Sequence, residues 1–320
     1  MKTLFYPRSI LLPVLFFGLI SCGKAAAPPT ATPTPSATPT LTATATATAT
    51  ATPEFHPGNS QRTVEVDGAE RTYLLHVPPD ADPETPIPLV FVFHGWSGLP
   101  DGIQGTTDFD YIADQKGFLA VYPRGSGTGN TDLSWNAGIC CGYALDHGVD
   151  DIAFVNAMLE DLGTIAVIDP QRTYATGFSN GAFLSYRLAC EMSDTFAAVA
   201  PVGGTLVFQP CEPEQPVALL AVHGLYDMTV PYDGGGDLID NGFPPVTGSI
   251  QIWVGLNGCA GEPQVDEPYK NVVRTVYGNC EAGTAVELYT VDFFGHTWPL
   301  INTFPASETI WAFFAAHPRR

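Results

Sequence analysis

Beyond residue 60 the chain alternates short apolar runs with longer amphipathic stretches. Arg62 to Val66 and Glu70 to Val77 alternate apolar and polar positions about Asp67-Gly68, a pair suited to the positive φ of a hairpin turn. Further strands begin near Leu89, Phe118, Arg172, Ala197, Val217 and Val286. Pro88 to Phe93 and Val217 to Gly224 are apolar almost throughout, as strands covered on both faces are, whereas Val286 to Phe293 alternates. Helical segments are expected at Thr106 to Lys116, Asp150 to Val167 and Ala182 to Met192, with Ser307 to Ala316 as a closing helix. This order predicts an α/β domain: a mostly parallel central sheet with helices on both faces. Asp233 to Gly242 reads as a loop, and its Gly-Gly-Gly run lacks the setting of a phosphate loop.

The first 57 residues have another pattern. Lys2 and Arg8 precede an apolar run from Ile10 to Ile20, too short for a comfortable membrane span and suited to a signal peptide. Leu19-Ile20-Ser21-Cys22 resembles a bacterial lipobox, so residues 1–22 are expected to be a leader and Cys22 the lipidated first residue of the mature protein; the alternative is a secretory signal cleaved elsewhere. Residues 23–57 are rich in Ala, Thr and Pro with almost no large apolar side chain, a low-complexity tether suited to O-glycosylation. At about 3.1 Å per residue in a polyproline-like state, roughly 30 residues reach on the order of 90 Å. Residues 58–320 remain as one catalytic-sized domain.

Charge removes some partners. A net charge of −20 with only 13 basic residues leaves no footprint for nucleic acid, and it disfavours docking on anionic membranes. No Cys-x-x-Cys pair or His cluster has metal-ligand spacing, so neither a metal nor another cofactor is expected.

The chemistry lies in Gly177-Phe178-Ser179-Asn180-Gly181, between the run Arg172 to Thr176 and the helix-like Ala182 to Ala189. A strand, a Gly-x-Ser-x-Gly turn and a helix make a nucleophile elbow, which holds the serine hydroxyl above the sheet and needs small residues where strand and helix approach. The elbow calls for an acid and then a histidine downstream, each after a strand. Asp227 follows Val217 to Gly224, and His296 follows Val286 to Phe293. A serine hydroxyl is a weak nucleophile until a neutral imidazole takes its proton, and the imidazole needs a carboxylate to fix its tautomer. Taken singly, Asp227 is as readily a turn aspartate and His296 a surface histidine; together, after correctly placed strands, they read as a triad. His94 and His223, each before a glycine at a strand end, read as loop braces, and His76, His147 and His317 as structural or solvated; His56 falls in the tether. His94-Gly95-Trp96 follows the strand ending at Phe93, so the backbone N–H groups of Trp96 and Asn180 are the expected oxyanion donors. Trp135 and Trp298, with Trp96, are candidates for stacking a flat acyl group or sugar in the cleft, although tryptophans fill cores as readily.

These motifs, with Tyr186 to Glu191, Ala198 to Gly204, His223-Gly224, Val230-Pro231-Tyr232, Gly295 to Pro299, Trp135 to Gly138, Cys140-Cys141-Gly142 and Gly148 to Asp151, resemble the secreted esterases of the poly(3-hydroxybutyrate) depolymerase-like and feruloyl esterase-like family. The resemblance covers about residues 60 to 316. It implies an α/β-hydrolase fold and a metal-independent serine esterase acting on a polyester, on hydroxycinnamoyl or acetyl esters of plant polysaccharide, or on small esters. The elbow ends Gly-Ala where family members often have Gly-Gly, and Met-Thr follows Asp227. Other readings are a serine peptidase or lipase on the same scaffold, or a catalytically silent, surface-tethered binding lipoprotein.

With Cys22 set aside, six cysteines remain, an even number that fits disulfides in an exported chain. Cys259 and Cys280 bracket a polar insertion and are expected to pair. Cys190 ends the helix descending from the serine and Cys211 precedes the next strand at the same lower edge, which favours Cys190 with Cys211. Cys140 and Cys141 then bridge each other or exchange partners with that pair.

Overall fold

The computed structural model describes residues 55–236 and 242–320. The expected leader, Cys22 and the tether up to residue 54 lie outside the described residues, as does 237–241 of the glycine-rich loop. Phe55 already packs against the core.

Strands β1 (Gly58–Val66) and β2 (Ala69–Val77) form the expected hairpin and are followed by β3 (Ile87–Phe93), α1 (Pro100–Thr107), α2 (Phe109–Lys116) and β4 (Leu119–Pro123). A small ribbon, β5 (Ser126–Thr128) and β6 (Thr131–Ser134), leads to α3 (Gly142–Asp146) and α4 (Asp151–Gly163). Next come β7 (Ile168–Phe178), α5 (Asn180–Glu191), β8 (Ala198–Val202), β9 (Ala218–Gly224) and α6 (Val246–Leu256). The chain closes through β10 (Gln264–Tyr269), β11 (Val272–Tyr277), β12 (Val286–Val291) and α7 (Ala306–Ala316).

The main sheet has the order β1-β2-β4-β3-β7-β8-β9-β12-β11-β10. Its six middle strands, β4 to β12, run parallel. An antiparallel hairpin finishes each edge. Side chains alternate between two cores as the pleat requires. Leu89, Phe91 and Phe93 of β3 face the core shared with α4, α5 and α6, while Val90 and Val92 face the core of α1, α2 and α7. All of β3 and β9 is buried, which explains why both strands read as unbroken apolar runs.

Two expected helices need correction, and some elements were not foreseen. The helix expected from Thr106 to Lys116 is two helices, because Asp108 takes φ 54° between α1 and α2. The helix expected to reach Val167 stops at Gly163, and Val167 instead donates its N–H to Pro83 and accepts from Ile87. Helix α6 was not foreseen: its β-branched residues and two glycines disfavour helix locally. Burial of Val246, Ile250 and Trp253 supports it, with the Trp253 indole donating to the Val217 carbonyl at 2.8 Å. The polar insertion between Cys259 and Cys280 is the hairpin β10–β11, which continues the sheet past β12. Every residue of β10 is exposed, so no apolar alternation marks it.

Three disulfides link Cys140 with Cys141, Cys190 with Cys211, and Cys259 with Cys280. The structure thereby chooses the vicinal bridge over partner exchange.

Candidate active site

In an open α/β sheet, ligands gather beyond the carboxyl ends of strands where the strand order reverses. Here the chain passes from β3 outward to β4 and returns to β7 on the other side of β3. Ser179 leaves β7 at this point, and His94-Gly95-Trp96 leaves β3 beside it.

Ser179 has φ 56° and ψ −117°, a region non-glycine residues rarely occupy, and its N–H is held by the Val202 carbonyl at 3.0 Å. The flanking glycines permit the turn by close approach. A Cβ on Gly181 would lie 2.3 Å from the Phe93 carbonyl oxygen, and one on Gly177 would lie 2.5 Å from that of Gly181. The turn presents the Ser179 hydroxyl to His296, with 2.8 Å between Oγ and Nε2. On the other side of the ring, Nδ1 donates to Asp227 Oδ2 at 2.7 Å. The loops after β9 and β12 bring acid and histidine together, and a Cβ on Gly224 would lie 2.2 Å from the Phe294 carbonyl oxygen.

Asp227 is buried, and its second oxygen accepts the N–H groups of Thr229 and Val230 at 2.9 and 2.8 Å. Burial pushes this carboxyl upward, but the hydrogen bonds from His296 and Val230 outweigh it and hold the group below its ordinary value. The carboxylate is thus poised to orient the imidazole while staying ionised.

The residues expected to donate to an oxyanion adjoin the serine: Asn180 follows it in the chain, and Trp96 lines the same cavity. Asn180 opens α5, where a first N–H has no partner within the helix, and among the described residues the Trp96 N–H has no acceptor either. Gly95 sits against Ser179: a Cβ there would lie 3.3 Å from the serine Cβ.

A cavity of about 200 Å³ opens beside the serine, lined by Trp96, Cys140, Cys141, Phe183, Val230 and Phe243 among others. Of the three tryptophans considered for the cleft, Trp96 lines this cavity. Trp135 is wholly buried and Trp298 is 3% exposed, so neither lines the cavity. Trp135 donates its indole N–H to the His94 carbonyl at 2.8 Å, and its backbone exchanges hydrogen bonds with the Asn180 side chain. It braces the elbow from within the core. Trp298 bonds Ser307 and packs edge-on against Phe109, tying the histidine loop to α7 and α2. Cys140, Cys141, Phe183 and Phe243 were not anticipated as lining. Phe243 had no local signal, because it reaches the cavity from beyond the glycine-rich loop.

The other histidines brace loops. His94 donates to the Gly95 carbonyl at 2.7 Å and accepts from the Gly125 N–H at 3.0 Å, while His223 donates to the Val230 carbonyl at 2.8 Å. His76 bonds Asn59 and Asp114, His147 the Tyr143 carbonyl, and His317 the Phe313 carbonyl. Among the described residues, no group of three or more His, Cys, Asp or Glu is arranged to hold a metal ion.

Residues 71–218 match the family described as Esterase PHB depolymerase. The chain is 31% identical over 264 residues to the putative esterase NocK of Nocardia uniformis subsp. tsuyamanensis, covering 76% of this chain and 75% of that protein. It is 29% identical over 236 residues to feruloyl esterase B of Piromyces equi, across 71% of this chain but only 42% of that longer protein. Among solved structures, an acetyl xylan esterase from Aspergillus awamori shares the fold with a TM-score of 0.54 at 16% identity, over 80% of this chain and 99% of that one. The chain belongs to the PHB depolymerase family of esterases and is a carboxylic ester hydrolase on an α/β-hydrolase fold.

Proposed function

We propose that the domain works by an acyl-enzyme mechanism in which Ser179 is the nucleophile, His296 the general base and Asp227 the group that orients it. The observation that carries this reading is the unbroken relay from Ser179 Oγ through both nitrogens of His296 to Asp227 Oδ2. As the serine oxygen attacks the ester carbonyl, its proton passes to Nε2 and the carbonyl oxygen becomes an anion facing the N–H groups of Trp96 and Asn180. The tetrahedral adduct collapses when Nε2 gives that proton to the leaving alkoxide. Water, deprotonated by the same nitrogen, then releases the acid and restores the serine. Losing one oxyanion donor of this kind costs about 3 kcal/mol of transition-state stabilisation.

The substrate in this reading is a polymer-borne ester, either a polyester or a hydroxycinnamoyl or acetyl ester of plant polysaccharide. Supporting a polymer is the exposed apolar rim on the loops around the serine. Trp96 follows β3, Tyr226 and Met228 flank the acid, Phe293 stacks on Tyr226, and Leu300 and Ile301 follow the histidine. Supporting polysaccharide esters are the names of sequence relatives, feruloyl esterase B of Piromyces equi and a bifunctional acetylxylan esterase/xylanase of Neocallimastix patriciarum. The enzyme is read as exported, with residues 1–22 as leader, Cys22 as a lipid anchor, 23–57 as tether and 58–320 as catalytic domain; three disulfides fit that compartment.

Acid release from feruloylated arabinoxylan, acetylxylan and amorphous polyhydroxybutyrate, measured for wild type and Ser179→Ala, tests both parts. One polymer should dominate, and Ser179→Ala should lower its turnover by about a thousandfold or more. A variant within about tenfold of wild type contradicts the serine assignment.

A further inference from the structure

The cavity beside Ser179 has an uncommon wall, the disulfide between the adjacent residues Cys140 and Cys141. Both sulfurs belong to a small apolar cluster with Phe183, Val230 and Phe243, and these five residues also line the cavity. The rings of Phe183 and Phe243 stack at 5.4 Å between centroids. The cysteine segment is also fixed relative to the elbow. The side-chain amide of Asn180, directly after the serine, donates to the Cys140 carbonyl at 3.4 Å and to that of Trp135 at 3.0 Å. The Ala137 N–H donates to the same Cys140 carbonyl at 3.2 Å.

We infer that the Cys140–Cys141 disulfide, clustered with the Phe183–Phe243 pair, is the wall that selects the acyl group. The inference rests on Ser179 being the nucleophile.

Chain cross-linking does not explain this bond. A disulfide stabilises mainly by closing a loop in the unfolded chain, and the other two bridges each span a sequence separation of 21, against 1 here. What the bond supplies instead is local. It offers two polarizable sulfurs with no hydrogen-bond donor, where free thiols would bring two S–H donors and two titratable groups into an apolar pocket. It also gives the wall a fixed contour, tied by a hydrogen bond to the side chain of Asn180. The volume, about 200 Å³, is below the roughly 300–1,000 Å³ of sites that take a whole drug-sized ligand, so the cavity receives one acyl group and not the alcohol to which it is joined. A lining of sulfurs and stacked rings around so small a volume favours a short or flat acyl group over a long flexible chain.

The test compares kcat/KM, with kcat and KM separated, on p-nitrophenyl acetate, p-nitrophenyl octanoate and methyl ferulate. The proteins are wild type, Cys140→Ala/Cys141→Ala, and Cys259→Ala/Cys280→Ala as a remote disulfide control. Opening the wall should raise the octanoate-to-acetate ratio at least about tenfold, through KM, and lower ferulate relative to acetate. The remote variant should keep the wild-type ratios. Phe243→Leu, a milder change in the same cavity lining, should move the octanoate ratio in the same direction by about threefold and serves if the double cysteine variant does not fold. The wall is refuted if the folded cavity variants keep ratios within about twofold of wild type, or if the remote variant shifts them equally. Fluorophosphonate titration of each protein separates this failure from the other. Loss of activity tracking Ser179 labelling leaves the serine reading standing, whereas labelling without loss of activity removes the nucleophile itself.

Discussion

In the proposed mechanism Asp227 acts only through His296, and this orders the effects of substitution. His296→Ala should lower kcat about as far as loss of Ser179, while Asp227→Asn should cost less, because the imidazole survives in a poorer tautomer. A silent Asp227→Asn in steady-state kinetics would shift the role to another carboxylate, Asp292 being the next nearby in sequence. His94 carries a separate prediction about stability. Burial holds its imidazole down to about 4, against a smaller lift from its hydrogen bond to Gly95, while the unfolded chain titrates near 6.5. Between those values the unfolded state binds the extra proton, so stability is fully present above about pH 6.5 and is lost as pH falls toward 4, by on the order of 3 kcal/mol. Burial likewise lowers His223, which adds to the same slope. Thermal unfolding from pH 4 to 7 should show a rise with pH, shallower in His94→Gln; an unchanged slope in that variant contradicts the assignment.

Among the elements, the parallel strands were legible because burial on both faces demands apolar runs, and the elbow because close packing at Gly177 and Gly181 leaves a fixed spacing. Ser179, Asp227 and His296 could be singled out for a related reason: each follows a strand that reads clearly, and the fold brings the three side chains within hydrogen-bond distance. Elements held by tertiary context were not legible. Helix α6 carries β-branched residues and glycine and exists by burying Trp253, and the exposed β10 is held by its backbone ladder and the Asp266–Arg274 ion pair to β11, with no apolar alternation to mark it. The roles of Trp135 and Trp298 were misread because a tryptophan's apolar face serves a core as well as a cleft; only its neighbours decide. The pairs Cys190–Cys211 and Cys259–Cys280 each join distant elements, so each should stabilise by about 2–4 kcal/mol, whereas Cys140–Cys141 should add little. Denaturant unfolding of the paired alanine variants checks this ranking, and an equal loss for the vicinal pair would contradict it.

At the scale of the whole molecule, the proposed tether would join the proposed anchor to the catalytic domain, and the two should be separable. Cys22→Ala should move the enzyme from the membrane fraction to the medium with unchanged turnover of p-nitrophenyl acetate. Wild-type protein found wholly soluble and without lipid would remove the anchor, and a large loss of soluble-ester turnover in the variant would show that the two parts are coupled. The central claim is that one serine, activated by the His296–Asp227 pair, performs the ester chemistry of this chain. The most direct measurement is reaction of the intact protein with a fluorophosphonate, followed by peptide mass mapping and residual esterase activity on the same sample. The account predicts one phosphonyl group per chain, carried by Ser179, with activity lost in proportion to labelling. A label on another residue, or full activity in a protein fully labelled at Ser179, would contradict it.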